Sequence, residues 1–283
     1  MMIKRILIPL DPSPFTETAL KFGTTMAKFN SAQVTGLVIL DMAGIEKSIG
    51  PIPLGGLYYA DKIEKAKQKE AQNRIDQLLT KFKDICEKAG VDCREAQTQG
   101  IPSEQIIQES IFYDAVIMGM RTFFHFETQD TPGDSLEKVL DQTITPVYAV
   151  PEKIIMPDIP SERIKVLIAF DGSLPSARAL QRFGQLAPMD VFEVKLLISE
   201  TKEDKAHYYL DQAESYLRCH NINNIQKEWI KDEIIEAIDK KYLDWAHVVV
   251  VGAHSKAGLF KFMVGSLTKH LIKVAKRPLL ISQ

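Results

Sequence analysis

The stretch Gly252-Ala-His-Ser-Lys-Ala-Gly-Leu-Phe-Lys-Phe-Met-Val-Gly-Ser266 decides how the rest of the chain is interpreted. It follows His247-Val-Val-Val-Val251, a β-branched run whose length and composition predict a buried strand. The segment after it, Leu267–Lys276, carries apolar residues at helical spacing. A glycine-bearing loop between a strand and a helix collects free backbone N–H groups at the positive end of a helix dipole. The stretch therefore predicts an anion site, and phosphate is the anion that such sites bind best.

Gly265-Ser266 lies where this helix should begin, so its amides and its hydroxyl are the predicted phosphate donors. Lys256, Lys261 and Lys269 add positive charge nearby. The spacing is not that of a Walker loop, because the chain contains no Gly-Lys-Ser/Thr run. It also differs from the dinucleotide fingerprint of glycines.

Composition excludes several classes of protein. The chain has 283 residues and 45% apolar content, enough for two domains, and its net charge of −2 argues against a nucleic-acid partner. No apolar run approaches the roughly 20 residues of a membrane span, and the N-terminus passes directly into a strand instead of a signal peptide. The three cysteines, Cys86, Cys93 and Cys219, lack zinc-type spacing. We expect a cytoplasmic protein without a membrane partner, whose thiols are small buried apolar groups.

The chain repeats one unit. Three pairs of segments match, namely Ile6–Ser13 with Val166–Ser173, Asp114–Gly119 with Trp245–Gly252, and Thr145–Val150 with Arg277–Ser282. A period of more than about 100 residues indicates duplicated domains, whereas solenoid repeats are far shorter. We predict domains at 1–152 and 162–283, joined by the proline-bearing segment Pro151–Arg163.

Strand and helix patterns alternate within each copy, which predicts an α/β fold of two tandem, open, mainly parallel-sheet sandwich domains. In the first copy the expected strands are Ile3–Leu10, Gln33–Leu40, Val91–Gln97, Ala115–Met118 and Pro146–Val150, and the expected helices are Thr16–Phe29, Ala60–Ala89, Ser103–Phe112 and Ser135–Gln142. Ligands of open parallel sheets bind beyond the carboxyl ends of the strands. Asp171, which ends the first strand of the second copy, and the Gly252 loop should therefore reach the same crevice.

The loop resembles the Gly-x2-Gly-x9-Gly-Ser/Thr loop of universal stress proteins, with Gly252 first, Ser255 at the second glycine, and Gly265-Ser266 after nine residues. The whole chain resembles a tandem universal stress protein, which implies Rossmann-like domains of the adenine-nucleotide alpha hydrolase-like type. The resemblance implies a regulatory protein that binds ATP, or ADP or AMP, together with Mg²⁺, with the adenine and ribose near Asp171 and at most weak hydrolysis. The implied cofactor-binding residues are Asp171, Gly252, Ala253, His254, Ser255, Gly265, Ser266 and Leu267; no catalytic residue and no metal ligand is implied.

The first copy should have a lost or altered site. Asp11 corresponds to Asp171, but Asp134 falls where Ser266 lies in the second copy, and a carboxylate there repels phosphate. Arg121 alone could still hold an anion. His125, Glu127 and Asp130 offer metal ligands by composition only, and no metal site is predicted.

Other interpretations stay open. Asp171 could simply cap its own turn, as Asp-Gly-Ser does readily, and the loop glycines could form a tight turn and an N-cap. The protein could then be an interaction protein that keeps the fold without the nucleotide, or an adenylating enzyme, although no extra catalytic domain is present. The closing strands resemble those through which universal stress protein domains pair, which implies an internal pseudo-dimer and leaves a homodimer open.

Overall fold

The computed structural model describes residues 3–52, 56–124, 135–155, 161–187, 191–253 and 264–283. Within these ranges the chain divides into two compact units, Lys4–Val139 and one that comprises Leu140–Gln283 together with Ile3. Whether the chain consists of tandem domains at 1–152 and 162–283 is a separate question and stays a prediction.

The unit Lys4–Val139 is built on a parallel sheet with the strand order β3-β2-β1-β4. Its strands are β1 Arg5–Pro9, β2 Gln33–Leu40, β3 Cys93–Gln99 and β4 Ala115–Gly119, and its helices are α1 Pro14–Asn30, α2 Met42–Ile49, α3 Leu57–Ala89 and α4 Pro102–Ser110, with α5 Ser135–Gln142 at its end. At least one helix connects each of these strands to the next strand along the chain, as parallel pairing requires.

The unit Leu140–Gln283 has the strand order β5-β10-β9-β6-β7-β8. Its strands are β5 Val147–Val150, β6 Ile164–Ala169, β7 Phe192–Ser199, β8 Ile225–Ile230, β9 Val248–Gly252 and β10 Leu279–Ser282, and its helices are α6 Leu174–Leu186, α7 Glu203–Cys219, α8 Ile234–Ala237, which continues into a π-helical turn at Ile238–Tyr242, and α9 Ser266–Val274. Its strands run parallel except β5, which pairs antiparallel with β10. The predicted mainly parallel α/β fold is confirmed.

The burial of the strands β4 and β3 fits their positions in the sheet. The five residues of β4 are all buried, as expected of a strand with helices on both faces. The edge strand β3 has the polar sequence Cys-Arg-Glu-Ala-Gln-Thr-Gln and is mostly exposed or half-buried. Charged and polar edge strands discourage pairing with other chains. The apolar strands therefore lie inside the sheets, where their carboxyl ends can carry a site.

Several helix starts differ from the prediction. The helix predicted at Ser103–Phe112 begins instead at Pro102, with Ile101 as its N-cap, because proline is favoured at the first helical position. Helix α2 was not predicted, although Asp41 marks its start by accepting a hydrogen bond from the Gly44 N–H at 2.9 Å. No helix in the described ranges combines the length and apolar character that a bilayer crossing would need.

Candidate functional site

The carboxyl ends of the adjacent parallel strands β6 and β9 open onto one crevice. Asp171 follows β6 and Gly252 ends β9, and both line a cavity of about 150 Å³. The predicted residues Gly265, Ser266 and Leu267 line the same cavity. Five of the eight predicted site residues are therefore brought together. His254 and Ser255, like Lys256 and Lys261, lie outside the described residues.

The start of helix α9 corrects one part of the predicted donor set. Gly265 is the N-cap, and its N–H donates to the carbonyl of Ala253 at 2.8 Å, so this amide is not available to an anion. The next three N–H groups, those of Ser266, Leu267 and Thr268, have no acceptor among the described residues. The first turn of any α-helix leaves such donors unpaired. The amides of this helix that lack an acceptor among the described residues therefore begin at Ser266, one residue later than the predicted donor set.

Ala253 contributes through its backbone. Its methyl group is fully buried, its N–H donates to the Ser282 carbonyl at 2.8 Å, and its carbonyl accepts from Gly265. Because both of its peptide groups are already bonded, Ala253 holds the ends of the loop together and presents no donor to a ligand.

Gly252 is required by a close approach of two backbones. A Cβ atom there would lie 2.7 Å from the carbonyl carbon of Pro175 and 2.7 Å from the amide nitrogen of Ser176. The Gly252 carbonyl accepts a hydrogen bond from Thr268 Oγ1 at 2.8 Å. Strand β9 is thus packed directly against the start of α6 and tied to α9.

Asp171 belongs to a tight turn. Its Oδ1 accepts from the Ser173 N–H at 2.9 Å, and Gly172 takes the left-handed φ of 69°. Ser173 then caps α6 by accepting from the Ser176 N–H at 3.3 Å. The turn-capping interpretation of Asp171 is therefore correct for Oδ1, while the half-buried residue also lines the cavity.

A cation lies beside this turn. Lys205 forms an ion pair with Glu200, which raises the pKa of Lys205 chiefly through their hydrogen bond, and the nearby Asp171 carboxylate raises it further. The ring of Tyr209 covers Gly172, since a Cβ there would meet the ring at 2.6 Å. The turn is thus closed on one side by an aromatic ring and flanked by a positive charge.

Other residues of the cavity were missed by the sequence prediction. They include Ser176, Ser199 and Thr268, whose hydroxyls donate to the backbone carbonyls of Ser173, Asp232 and Gly252 respectively. These hydroxyls hold the walls of the crevice in place. Ser199 ends β7, so the rule that ligands bind at carboxyl ends of strands could have found it.

The equivalent carboxylate of the first copy, that of Asp11, is more deeply buried than that of Asp171. Asp11 is 3% exposed, and its Oδ1 accepts from Ser13 N at 3.1 Å, Ser13 Oγ at 2.5 Å and Thr16 Oγ1 at 2.6 Å. Its Oδ2 accepts from the Phe123 N–H at 2.5 Å. Both oxygens are therefore used by the protein. Asp134, together with the 125–134 segment that contains it, lies outside the described residues, so the predicted repulsion of phosphate stays a prediction.

The two carboxylates should differ in what they contribute to stability. We expect Asp11→Asn to lower the free energy of unfolding by about 1 to 2 kcal/mol, because charge-assisted hydrogen bonds at a buried carboxylate are lost. Asp171→Asn is the matched control and should cost less than about 1 kcal/mol, since its turn is half-exposed. Urea unfolding followed by circular dichroism measures both. Equal losses would contradict the difference between the two sites.

Comparisons with known proteins concern both the family and the fold of this chain. The sequence profile of the Universal stress protein family matches residues 2–151. A universal stress protein from Archaeoglobus fulgidus DSM 4304 superposes with a TM-score of 0.68 at 18% identity, covering 99% of this chain and 96% of that one. A putative universal stress protein from Pseudomonas aeruginosa UCBPP-PA14 gives a TM-score of 0.55 at 14% identity, with 99% and 93% covered. Comparison with curated proteins gave no match. At these identities the structural likenesses show the fold alone.

Proposed function

Because the chain belongs to the universal stress protein family, we propose that its second copy, 162–283, binds an adenine nucleotide as a regulatory ligand. The nucleotide is ATP, or its products ADP or AMP, accompanied by Mg²⁺. The copy matched by the family profile is the first one, whose carboxylate Asp11 is closed off by the protein. The proposal therefore rests on the geometry of the second copy.

The observation that carries the proposal is a set of three amides at the start of α9, those of Ser266, Leu267 and Thr268, which have no acceptor among the described residues. Ser266, Leu267 and Thr268 line the same cavity as Gly252 and Asp171. Free amides at a helix N-terminus, together with the positive end of the helix dipole, favour phosphate over other small ligands. The phosphates would therefore lie against α9.

Asp171 supports a role at the sugar or base. It follows β6 and lines the same cavity as the start of α9, and a carboxylate near a ribose can accept hydrogen bonds from its hydroxyl groups. The cavity of about 150 Å³ is smaller than the roughly 300–1,000 Å³ of ordinary small-molecule sites. The described residues thus enclose enough space for only part of a nucleotide. Residues 254–263, which follow β9, lie outside the described residues.

The lining also favours binding over turnover. The described lining residues include a single carboxylate, Asp171, and no His, Lys or Arg. Phosphoryl transfer needs groups that position the attacking water and neutralise the developing charge. Within the described ranges, no cluster of three His, Cys, Asp or Glu side chains could hold a metal ion. Mg²⁺ would accordingly be bound mainly by the phosphates and water.

The tandem arrangement and the cytoplasmic location are part of the same proposal. The pairing of β5 with β10, in which Leu279 lies opposite Ala149, supports internal pairing of the closing strands of the two copies. An internal pseudo-dimer uses strand edges that would otherwise be free to pair with another chain.

The alternative is an interaction protein that keeps the fold without the nucleotide. Two hydrogen bonds favour it. The Gly265 N–H donates to the Ala253 carbonyl, and Asp171 Oδ1 accepts from the Ser173 N–H, so both groups already have partners within the protein. Nucleotide content separates the two functions.

We expect the full chain, purified without added nucleotide, to release ATP or ADP on denaturation, at a stoichiometry close to one per chain. Anion-exchange chromatography of the supernatant measures this, and titration of the emptied protein with Mg-ATP by calorimetry should give one site. A stoichiometry close to two would show that the first copy also binds. Absence of nucleotide, with no binding at millimolar Mg-ATP, would leave the interaction protein as the better description.

A further inference from the structure

Two of the three cysteines are in contact where helix α3 meets strand β3. After Ala89 the chain turns through Gly90, which has a left-handed φ of 66°, and the Val91 N–H donates back to the Cys86 carbonyl at 3.1 Å. Strand β3 then begins at Cys93. This turn brings the Cys86 and Cys93 side chains close enough to interact with each other.

The junction is held on its outer side as well. Lys83 of α3 forms an ion pair with Glu95 of β3 at 2.9 Å. The Lys83 ammonium also lies close enough to Cys93 to interact with it electrostatically. The end of α3 and the start of β3, which carry the two cysteines, are thus joined by an ion pair as well as by the turn.

The two thiols differ in their access to solvent. Cys86 is fully buried, whereas Cys93 is half-buried and reaches the surface. Burial, with the neighbouring Cys93 thiol, raises the pKa of Cys86 to about 12, so Cys86 keeps its proton at neutral pH. Of these two thiols, an oxidant from solution therefore reaches that of Cys93 first.

We propose that Cys93 and Cys86 form an oxidation site that hydrogen peroxide converts to an intramolecular disulfide. The Cys93 thiolate attacks one peroxide oxygen, the O–O bond breaks, and the departing hydroxide takes up the proton that the thiol released, leaving Cys93 as a sulfenic acid and one water. The Cys86 sulfur then displaces the hydroxyl from the Cys93 sulfur, and its proton leaves with that hydroxyl as a second water. Each sulfur is oxidised by one electron equivalent, and the two peroxide oxygens are reduced.

Contact with a second thiol sets this pair apart from Cys219. Cys219 is the last residue of α7 and is exposed. Exposure lets an oxidant reach it, but a sulfenic acid becomes a disulfide within the chain only when a second thiol lies beside it. Cys219 therefore serves as the internal control for oxidation without a partner. The site is independent of the proposed nucleotide function, since it lies in the unit Lys4–Val139.

Trypsin makes the test direct, because Lys88 lies between the two cysteines. Cleavage separates the peptides 84–88 and 89–94, which contain Cys86 and Cys93 respectively, while Cys219 falls in 219–227. The native full-length chain is treated with hydrogen peroxide, alkylated, digested without reductant and analysed by mass spectrometry. We expect peptides 84–88 and 89–94 to appear joined, to separate on treatment with dithiothreitol, and to carry most of the disulfide signal.

Variants distinguish the cysteine that the peroxide oxidises from the cysteine that then forms the disulfide with it. Cys86→Ala should stop the reaction at a Cys93 sulfenic acid, which dimedone traps, whereas Cys93→Ser should leave Cys86 as an unmodified thiol. Cys219→Ser should form the 84–88 to 89–94 link as the natural chain does. Circular dichroism checks that each variant is folded, and Cys93→Ser, at a half-buried position, keeps the test valid if Cys86→Ala is unstable. Failure to form the link while Cys219 is oxidised, or equal linkage of Cys93 to Cys219, would overturn the proposal.

Discussion

Gly265→Asp should weaken the binding of Mg-ATP by about 100-fold. The new carboxylate would stand at the N-cap of α9, beside the free amides of Leu267 and Thr268 that the phosphates are proposed to use. Two like charges about 4 Å apart cost about 4 kcal/mol near a protein surface, and solvent lowers this to about 2 to 3 kcal/mol. Since about 1.4 kcal/mol corresponds to a tenfold change in affinity, the expected loss is about 100-fold.

The substitution should leave the fold intact. Gly265 has φ −63° and ψ 154°, an extended conformation that any residue can adopt, and Asp is among the preferred N-cap residues. Thermal unfolding should therefore occur at the same temperature as in the natural chain or slightly above it. A loss of binding then reports on charge and not on unfolding.

Gly265→Asn is the matched control, because its side chain has nearly the same shape, caps equally well and carries no charge. It competes for the same amides without repelling phosphate, so we expect a loss of about three- to tenfold. Calorimetric titration with Mg-ATP measures both variants. If Gly265→Asp bound Mg-ATP as tightly as the natural chain, the phosphates would not lie at this helix, whatever the nucleotide content of the protein.

The sequence predicted the limits of a helix or strand best where one periodic pattern of apolar residues ended at clear boundaries. Strand Gln33–Leu40 and helix Ser135–Gln142 have the predicted limits. The strand follows a helix that ends at Asn30, and seven of its eight residues are buried, so apolar content alone defines it. Helix α2 was missed because its only clear signal, a capping Asp41, precedes a segment of just eight residues.

The position of the crevice could also be predicted, because the rule for open parallel sheets needs only the order of elements along the chain. It brought Asp171 and Gly252 to one cavity without any knowledge of side-chain packing. The state of each backbone amide could not be predicted in this way. The Gly265 N–H meets the Ala253 carbonyl only because the two ends of the loop converge in space. Such a contact leaves no mark in the sequence between them.

The two Asp-x-Ser turns show the same limit. Thr16 and Ser176 occupy matching places in the repeat, yet Thr16 Oγ1 donates to the carboxylate of Asp11, whereas Ser176 Oγ donates to the Ser173 carbonyl. The remaining oxygen of Asp11 is taken by the N–H of Phe123, which lies 112 residues away. The same motif therefore accompanies a buried carboxylate in one copy and a half-buried, cavity-lining carboxylate in the other. The contact with Phe123 depends on the loop after β4, whose path the motif does not contain.

Gly252→Ala should cause the largest loss of stability among the substitutions considered. The added methyl carbon would lie 2.7 Å from both the Pro175 carbonyl carbon and the Ser176 amide nitrogen, and backbone atoms cannot rotate away as a side chain can. Strand β9 or the start of α6 must then shift. Overpacking of this kind costs about 1 to 3 kcal/mol, and contact with backbone on both sides places this case near 3 kcal/mol.

Gly184→Ala is the matched control in the same unit. Gly184 lies within α6, and a methyl carbon there would meet side-chain atoms of Tyr216 and His220 at 3.1 Å and 3.4 Å, which can move slightly. Alanine also stabilises a helix by up to about 1 kcal/mol relative to glycine, so this variant should be close to neutral. Chemical denaturation and thermal melting by circular dichroism measure both. We expect Gly252→Ala to lower the melting temperature of its unit by about 10 °C.

The Gly252 substitution also tests how the crevice is built. A shift of β9 away from α6 would displace the Gly252 carbonyl from Thr268 Oγ1, and with it the start of α9. Residual Mg-ATP affinity at a temperature where the variant is folded should therefore fall together with stability, whereas Gly184→Ala should leave both unchanged. A stable Gly252→Ala protein would mean that β9 and α6 are not in backbone contact, and the cavity between Asp171 and α9 would then need a different wall.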